Sequence, residues 1–369
     1  MSTCQAFHGG RLLEAEREFG LTRDQFVDFS SNLNVFAPAV PALEWASWSS
    51  HATRYPQADA ETARLRLADF YGVDAEFLLP TSGASEALYL VARLFTDRKV
   101  AVVEPGFSDY SRSFRAAGCE CSPVILPQTW WYEPVQKWVR SLEPFDVVVL
   151  GNPNNPTGSL QRKEELLHLF EQNRGRCGSW VIDEAFLEFI ECAERETLLS
   201  TIREFSSLIV IRSLTKSWQI PGLRLGFVAT SGPINQLRRM QPPWSVNSLA
   251  EAWASSFLTA QRRAELALSC EEMRTEKRRF ATQLVRISGI RVHPGAANFL
   301  LVELIDGSLE ARDLYRELGR RGILVRVCDS FPGMTQGRFV RLAVRTASEN
   351  DRLIRELAPL CEQKTRRVA

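Results

Sequence analysis

An excess of charge of either sign is missing from this chain: lysine plus arginine number 45, and aspartate plus glutamate 44, among 369 residues. A balance of that kind gives no single-signed field, which argues against general nucleic-acid binding and against membrane attachment by charge. No apolar run is long enough to cross a bilayer. The first residues, MSTCQAFHGG, lack the charged-then-apolar order of a secretory leader. The eight cysteines are scattered, no C-x-x-C occurs, and Cys119 and Cys121 stand too close for the usual ligand spacings. No metal site is expected. The thiols read as core or surface groups of a reducing compartment, so the cytoplasm is the expected location. Internal repeats and low-complexity segments are also missing. No helix-turn-helix segment precedes the N-terminal arm, which disfavours a regulator that merely binds a small molecule.

What is present is a long alternation. The length suits one large or two moderate domains. Residues 1–45 read as an irregular arm, with an amphipathic stretch from Arg11 to Phe19 and a polar run from Asp28 to Asn34. Helical spacing is expected over Asp59–Tyr71, ending at Gly72, and over Ala87–Phe95. Short continuous apolar runs come next at Val100–Val103, Glu120–Ile125, Val147–Leu150, Trp180–Ile182, Leu208–Ile211 and Leu225–Ala229. Their Val and Ile content suits strands covered on both faces. Helices are expected between them at Ser108–Ala117, Lys163–Asn173 and Leu198–Phe205. This order predicts an α/β fold, a sheet with crossover helices. Pro242-Pro243 and one long helix, Ser248 to about Gln283, mark a change of domain. Beyond it, strands at Phe299–Leu304, Leu324–Val327 and Phe339–Ala343, with helices at Leu309–Arg321 and Ser348–Cys361, read as a smaller α+β unit. The expected division is 1–45 for the arm, 46–255 for the large domain and 256–369 for the small one.

Four stretches carry candidate chemistry, and each has a plainer reading. Thr81-Ser82-Gly83-Ala84-Ser85-Glu86 opens a helix; free amides there make an anion site, or the serines simply cap the helix. Gly151-Asn-Pro-Asn-Asn155-Pro-Thr-Gly158 comes directly after a strand, where ligands sit in open α/β sheets, or it is a well-made turn. Asp183-Glu184 ends the next strand; a carboxylate there can hold a ring nitrogen protonated, or it caps the next segment. Ser213-Leu-Thr-Lys216, then Pro221-Gly-Leu-Arg224-Leu-Gly226, offers a lysine able to form a Schiff base, with hydroxyls and an arginine for a phosphate; alone, it is also a surface loop.

Together and in this order, N-P-x-N-P-T-G, D-E-A-F, S-x-x-K and G-x-R-x-G resemble the fold-type I pyridoxal-phosphate enzymes, the aspartate aminotransferase superfamily, over about Asp28 to Cys361. The resemblance implies a large domain with a mostly parallel seven-stranded sheet between helices, a smaller α+β domain, and pyridoxal 5'-phosphate as cofactor. It implies Lys216 as the Schiff-base lysine, Asp183 on the pyridine nitrogen and Asn155 on the phenolic oxygen. Tyr110 would stack on the ring. Gly83 and Ala84, through backbone amides, would bind the phosphate with Ser213 and Arg224. Tyr55, in Arg54-Tyr-Pro56, would reach the phosphate of a neighbouring subunit, which implies a homodimer with its sites at the interface. Arg341 fits the arginine that pairs with a substrate carboxylate. Many relatives carry tyrosine where Phe186 stands, so here Asn155 acts without that hydroxyl.

Within the superfamily, His8-Gly-Gly10, Asp28-Phe-Ser-Ser-Asn32, D-E-A-F, Pro242-Pro-Trp-Ser-Val-Asn247 and Phe339-Val-Arg-Leu-Ala-Val-Arg-Thr346 resemble the threonine-phosphate decarboxylases of cobalamin biosynthesis. Histidinol-phosphate aminotransferases share the cofactor motifs and form the alternative. Arg11 and Asn34-Val35 depart from the decarboxylase pattern. A phosphorylated amino acid is the expected substrate, with His8, Gly9, Asn32 and Asn155 facing it. His8-Gly9-Gly10 otherwise reads as a terminal tail, and Asn32 as a turn cap. Arg345 serves the substrate anion or is a surface arginine; the sequence leaves both open. It also leaves decarboxylation and transamination open, because one arginine serves either orientation of the carboxylate.

Overall fold

The apolar runs assemble as a single sheet: those inside it are buried on both faces and rich in β-branched residues, whereas Glu120–Ile125, expected to be covered likewise, is an edge strand left partly exposed. The computed structural model describes residues 9–40, 46–135, 137, 144–173, 177–305 and 309–365. Its large sheet has seven strands: β2 (Leu78–Thr81), β3 (Lys99–Glu104), β4 (Glu120–Ile125), β5 (Phe145–Gly151), β6 (Cys177–Asp183), β7 (Leu208–Ser213) and β8 (Gly226–Ala229). Their spatial order is β2-β8-β7-β6-β5-β3-β4, parallel except for β8, which runs antiparallel to both its neighbours. This is the expected mostly parallel sheet of a fold-type I enzyme. Helices Asp109–Ala116 and Lys163–Gln172 make crossovers, as parallel neighbours require. The carboxyl ends of β5 and β6 lie level, with Gly151 opposite Asp183. The loops that leave these ends carry the expected chemistry.

A second, antiparallel sheet of four strands has the order β12-β13-β10-β9, built from β9 (Ile290–Val292), β10 (Phe299–Leu304), β12 (Arg326–Val327) and β13 (Phe339–Ala343). Strand alternation gives this sheet two different faces. Leu300, Val302, Val340 and Leu342 join a core with Phe280, Leu314 and Leu353, whereas Phe299, Leu301 and Phe339 join the core of the large sheet. Arg341 shares the parity of Phe339, so it too is turned toward the large sheet.

Four further expectations change. The arm is not irregular throughout: β1 (Val27–Asp28) pairs in parallel with β11 (Ile323–Leu324), and Ala343 N donates to the Phe29 carbonyl at 2.9 Å. The expected strand Leu324–Val327 thereby divides, its first part serving the arm and its second the sheet. The expected helix Leu198–Phe205 is a short 3₁₀ turn, Leu198–Thr201, opened by Thr197. The expected single helix from Ser248 is two, Ser248–Phe257 and Ala260–Leu284. Thr259 caps the second by accepting from Arg262 N, so the chain turns there despite continuous helical spacing. No helix among the described residues is long and apolar enough to cross a membrane.

Candidate active site

The acid pair at the end of β6 is divided by strand alternation. Glu184 points away from the cavity and is consumed structurally: it lies 3.5 Å from Arg212 and accepts from Thr197 Oγ1 and Leu198 N, both at 2.7 Å. Asp183 faces the cavity. Its Oδ1 accepts from Ala185 N at 2.9 Å and its Oδ2 from Tyr110 Oη at 2.8 Å. Burial raises its pKa, opposed by Lys216 and then by the Tyr110 bond. Lys216 leaves β7 on a turn held by the arm. The buried Asn34 donates its backbone N–H to the Lys216 carbonyl at 2.9 Å, and its Nδ2 donates to the Ser217 carbonyl at 3.0 Å. The lysine Nζ stands 4.8 Å from the centroid of the Phe186 ring. Burial lowers its pKa, with Arg341 and Arg224 pushing the same way and Asp183 opposing. An amine so placed is more easily deprotonated than a solvated one, as a nucleophilic lysine requires.

Beside it lies an anion cradle. Helix Gly83–Arg93 begins at the end of β2 with Gly83 at φ +73°, and its first amides open toward the cavity that Ala84 and Ser85 line. A Cβ on Gly83 would stand 2.7 Å from Arg224 Nη2, so the guanidinium packs on the bare α-carbon. Arg224 itself holds a left-handed φ of +59°, uncommon for a side-chain-bearing residue and costly enough to mark a constrained site. Ser213, at the end of β7, and Thr215 complete the wall, and Thr215 Oγ1 is buried with no hydrogen-bond partner among the described residues. Helix amides, two hydroxyls and a guanidinium lining one side of the same cavity fit a phosphate.

The small sheet and the arm close the other side of a cavity of about 360 Å³. Arg341 donates from Nη1 to Asn155 Oδ1 and from Nη2 to the Ser30 carbonyl at 2.9 Å, while its Nε has no partner among the described residues. With Oδ1 engaged, Asn155 presents its Nδ2 as a donor. Burial pushes Arg341 down to about 9, which leaves it charged at neutral pH. Asn32 lines the same wall, with Oδ1 buried and unpartnered among the described residues. Gly9 reaches the cavity, pressed so close to Ser30 that an added Cβ would lie 2.0 Å from its carbonyl oxygen. Arg326 was not legible as a site residue: it stands in an apolar strand run, and that break in pattern was its one signal. It is buried, lines the cavity, and donates to the Val327 carbonyl at 3.0 Å and Ser330 Oγ at 2.8 Å. The cavity thus gathers Lys216, Arg224, Arg326 and Arg341 against two carboxylates, Asp109 and Asp183. A formal surplus of two positive charges suits anionic ligands.

Not every expected residue arrives. Arg345 stands outside the cavity, donating to the Asp28 carbonyl at 3.1 Å and to Glu349 at 2.8 Å; it ties the arm to the last helix instead of meeting an anion. Tyr110 does line the cavity, and it commits its hydroxyl to Asp183, a contact the sequence did not suggest. Tyr55 is away from this cavity, 85% exposed, with its ring 5.2 Å from that of Trp244. His8 lies outside the described residues.

The residues present fit pyridoxal phosphate. The cradle takes a phosphate, Lys216 an aldehyde, Asp183 a protonated ring nitrogen, and Asn155 Nδ2 a phenolic oxygen. Comparison with known proteins agrees. The family model for aminotransferase class I and II matches residues 23–357. The chain is 33% identical to a threonine-phosphate decarboxylase of Salmonella typhimurium over 97% of both chains. It is 32% identical to a histidinol-phosphate aminotransferase of Thermoanaerobacter pseudethanolicus over 85% of this chain and 86% of that one. In structure it is similar to the histidinol-phosphate aminotransferase of Sinorhizobium meliloti, solved in complex with pyridoxal-5'-phosphate, with a TM-score of 0.81, 20% identity and full coverage of both chains (100% each).

Proposed function

The chain belongs to the class I and II aminotransferase family, and on that premise we propose that it decarboxylates L-threonine O-3-phosphate, releasing carbon dioxide and (R)-1-aminopropan-2-yl phosphate. Pyridoxal phosphate is its cofactor, and when bound it supplies an electron sink for the bond that breaks at Cα. The observation that carries the choice of substrate is Arg326. Arg224 belongs to the cofactor's phosphate and Arg341 suits a carboxylate, so Arg326 is the cation left over for a second phosphate. Threonine phosphate bears carboxylate and phosphate on one short skeleton, and Arg341 and Arg326 line one cavity. The similarity to the Salmonella typhimurium decarboxylase over nearly the whole chain supports the same reading.

In this reading Arg341 orients the carboxylate and Arg326, with Asn32 and the Gly9–Gly10 segment, holds the phosphate. Asp183, kept in place by Tyr110 and Ala185, holds a proton on the ring nitrogen. Lys216 Nζ returns a proton to Cα after carbon dioxide leaves, a task suited to an amine whose pKa burial has lowered. Ser30 and Ser31, packed against Gly9 and Gly10, exclude water and so strengthen each charge interaction. We also propose a homodimer, in which the exposed Tyr55–Trp244 pair is covered by a second copy and Tyr55 reaches its cofactor phosphate. The product would feed the aminopropanol linker of cobalamin.

The test uses the holoenzyme with L-threonine phosphate. Carbon dioxide released without any keto acid supports the reading. Amino-group loss from histidinol phosphate that depends on a keto acid, with no carbon dioxide from threonine phosphate, overturns it in favour of the aminotransferase.

A further inference from the structure

Three of the cations in the cavity rest on aromatic rings, Arg326 on Phe331 and the other two on rings that touch each other. Lys216 Nζ lies 4.8 Å from the Phe186 centroid, and Arg341 Cζ lies 5.2 Å from the Phe299 centroid. Phe186 and Phe299 meet at 5.2 Å between centroids with an interplanar angle of 86°, an edge-to-face pair. Both rings are buried, at 5% and 1% exposure. The arrangement is a row: lysine, ring, ring, arginine.

Its origin is the register of the small sheet. Leu301 of β10 stands directly opposite Arg341 of β13, so Phe299 is the diagonal neighbour of Arg341 on the same face, within reach for a long side chain. Phe186 comes from the loop that leaves β6 of the large sheet, three residues past Asp183. The pair therefore joins the small sheet to the loop after β6, beside the cavity that Lys216 and Arg341 both line.

We propose that Phe299 is a positioning residue, which seats Arg341 directly and Lys216 through Phe186, and so fixes the separation and charge of the two cations that handle the substrate. The physical need is clear. Arg341 and Lys216 are like charges in a poorly solvated cavity, and each disfavours the other's protonated form. The groups facing Lys216 are Asp183, Arg341 and Arg224, and only the first favours its proton. A ring face carries negative charge density and favours a cation above it. Phe186 supplies that where a hydroxyl-bearing residue would compete for hydrogen bonds, and Phe299 holds Phe186 at its angle.

The inference rests on the proposed function only for the role of Arg341, so its test has two readouts. The first needs no substrate. In the holoenzyme, the visible absorption of the bound cofactor tracks the proton on the Lys216 nitrogen, and its pH midpoint is measured for Phe299→Leu, Phe186→Leu and the double variant. Each single variant should lower the midpoint by about half a pH unit, roughly a threefold loss of proton affinity. The double variant should go no further than Phe186→Leu, because Phe299 acts on Lys216 through Phe186. The second readout is steady-state turnover of L-threonine phosphate, where Phe299→Leu should raise KM several-fold more than Phe186→Leu. Phe299→Tyr, which keeps the ring, should restore the midpoint. Unchanged midpoints in correctly melting Phe299→Leu protein overturn the proposal, as do additive shifts in the double variant. If threonine phosphate is not a substrate the midpoints still decide.

Discussion

Tyr110 Oη donates a 2.8 Å hydrogen bond to Asp183 Oδ2, across the gap between the first turn of helix Asp109–Ala116 and the end of β6. The bond orients the carboxylate and favours its ionised form, which burial alone would disfavour. The ring-nitrogen partner is therefore set by a residue 73 positions away in sequence.

Asp183→Asn removes the charge and keeps the shape. The variant should retain cofactor and lose kcat by a hundredfold or more, about 3 kcal/mol of barrier. Tyr110→Phe should lose less, because Ala185 N still holds Oδ1. Stopped-flow or steady-state kcat on cofactor-saturated protein checks both. A near-normal Asp183→Asn rate removes the electron-sink role from this residue.

Gly83→Ala places a Cβ 2.7 Å from Arg224 Nη2 at a left-handed backbone position. A side-chain-bearing residue there costs roughly 1–2 kcal/mol, so cofactor affinity should fall about tenfold or more. Absorbance titration of cofactor-free protein measures it. Unaltered affinity means the phosphate is bound elsewhere.

Arg326→Gln keeps length and polarity without charge. KM for L-threonine phosphate should rise by about tenfold to a hundredfold, in line with loss of a charge-assisted hydrogen bond. Turnover of unphosphorylated L-threonine should hardly change. Equal effects on both substrates assign Arg326 to architecture instead of phosphate recognition.

Glu104 is buried at the end of β3, and burial raises its pKa from 4.5 to about 8, against the bond from Gly106 N. The native state thus binds this proton more tightly than the unfolded chain does. Between pH 4.5 and about 8 the unfolded state is ionised while the folded state remains protonated, so this group lowers stability as pH rises through that window. Glu104→Gln keeps an acceptor for Gly106 and has no such proton. Its Tm, relative to the parent, should climb steadily from pH 5 to pH 8; a constant difference refutes the shifted titration.

The large sheet and the cofactor face were written in local pattern. Val-rich runs such as Val147–Leu150 are too continuous for surface strands, and motifs at their carboxyl ends fall where an open α/β sheet binds ligands, so Asp183, Lys216 and Arg224 were legible from the chain alone. Breaks between elements were less so: nothing in the helical spacing of 248–283 announces the turn at Thr259, because periodicity records which face is apolar and not where a side-chain cap interrupts the backbone. The substrate side came from tertiary packing. Arg326 and Arg345 are both arginines near strands, and their parting depends on which carboxylates come near: Glu349 holds Arg345, while Arg326 finds a carbonyl and a hydroxyl. The Phe186–Phe299 contact likewise joins the loop after β6 to a strand of the small sheet, and the packing that brings them together, set by side-chain shape over many contacts, is written in no single stretch of the chain.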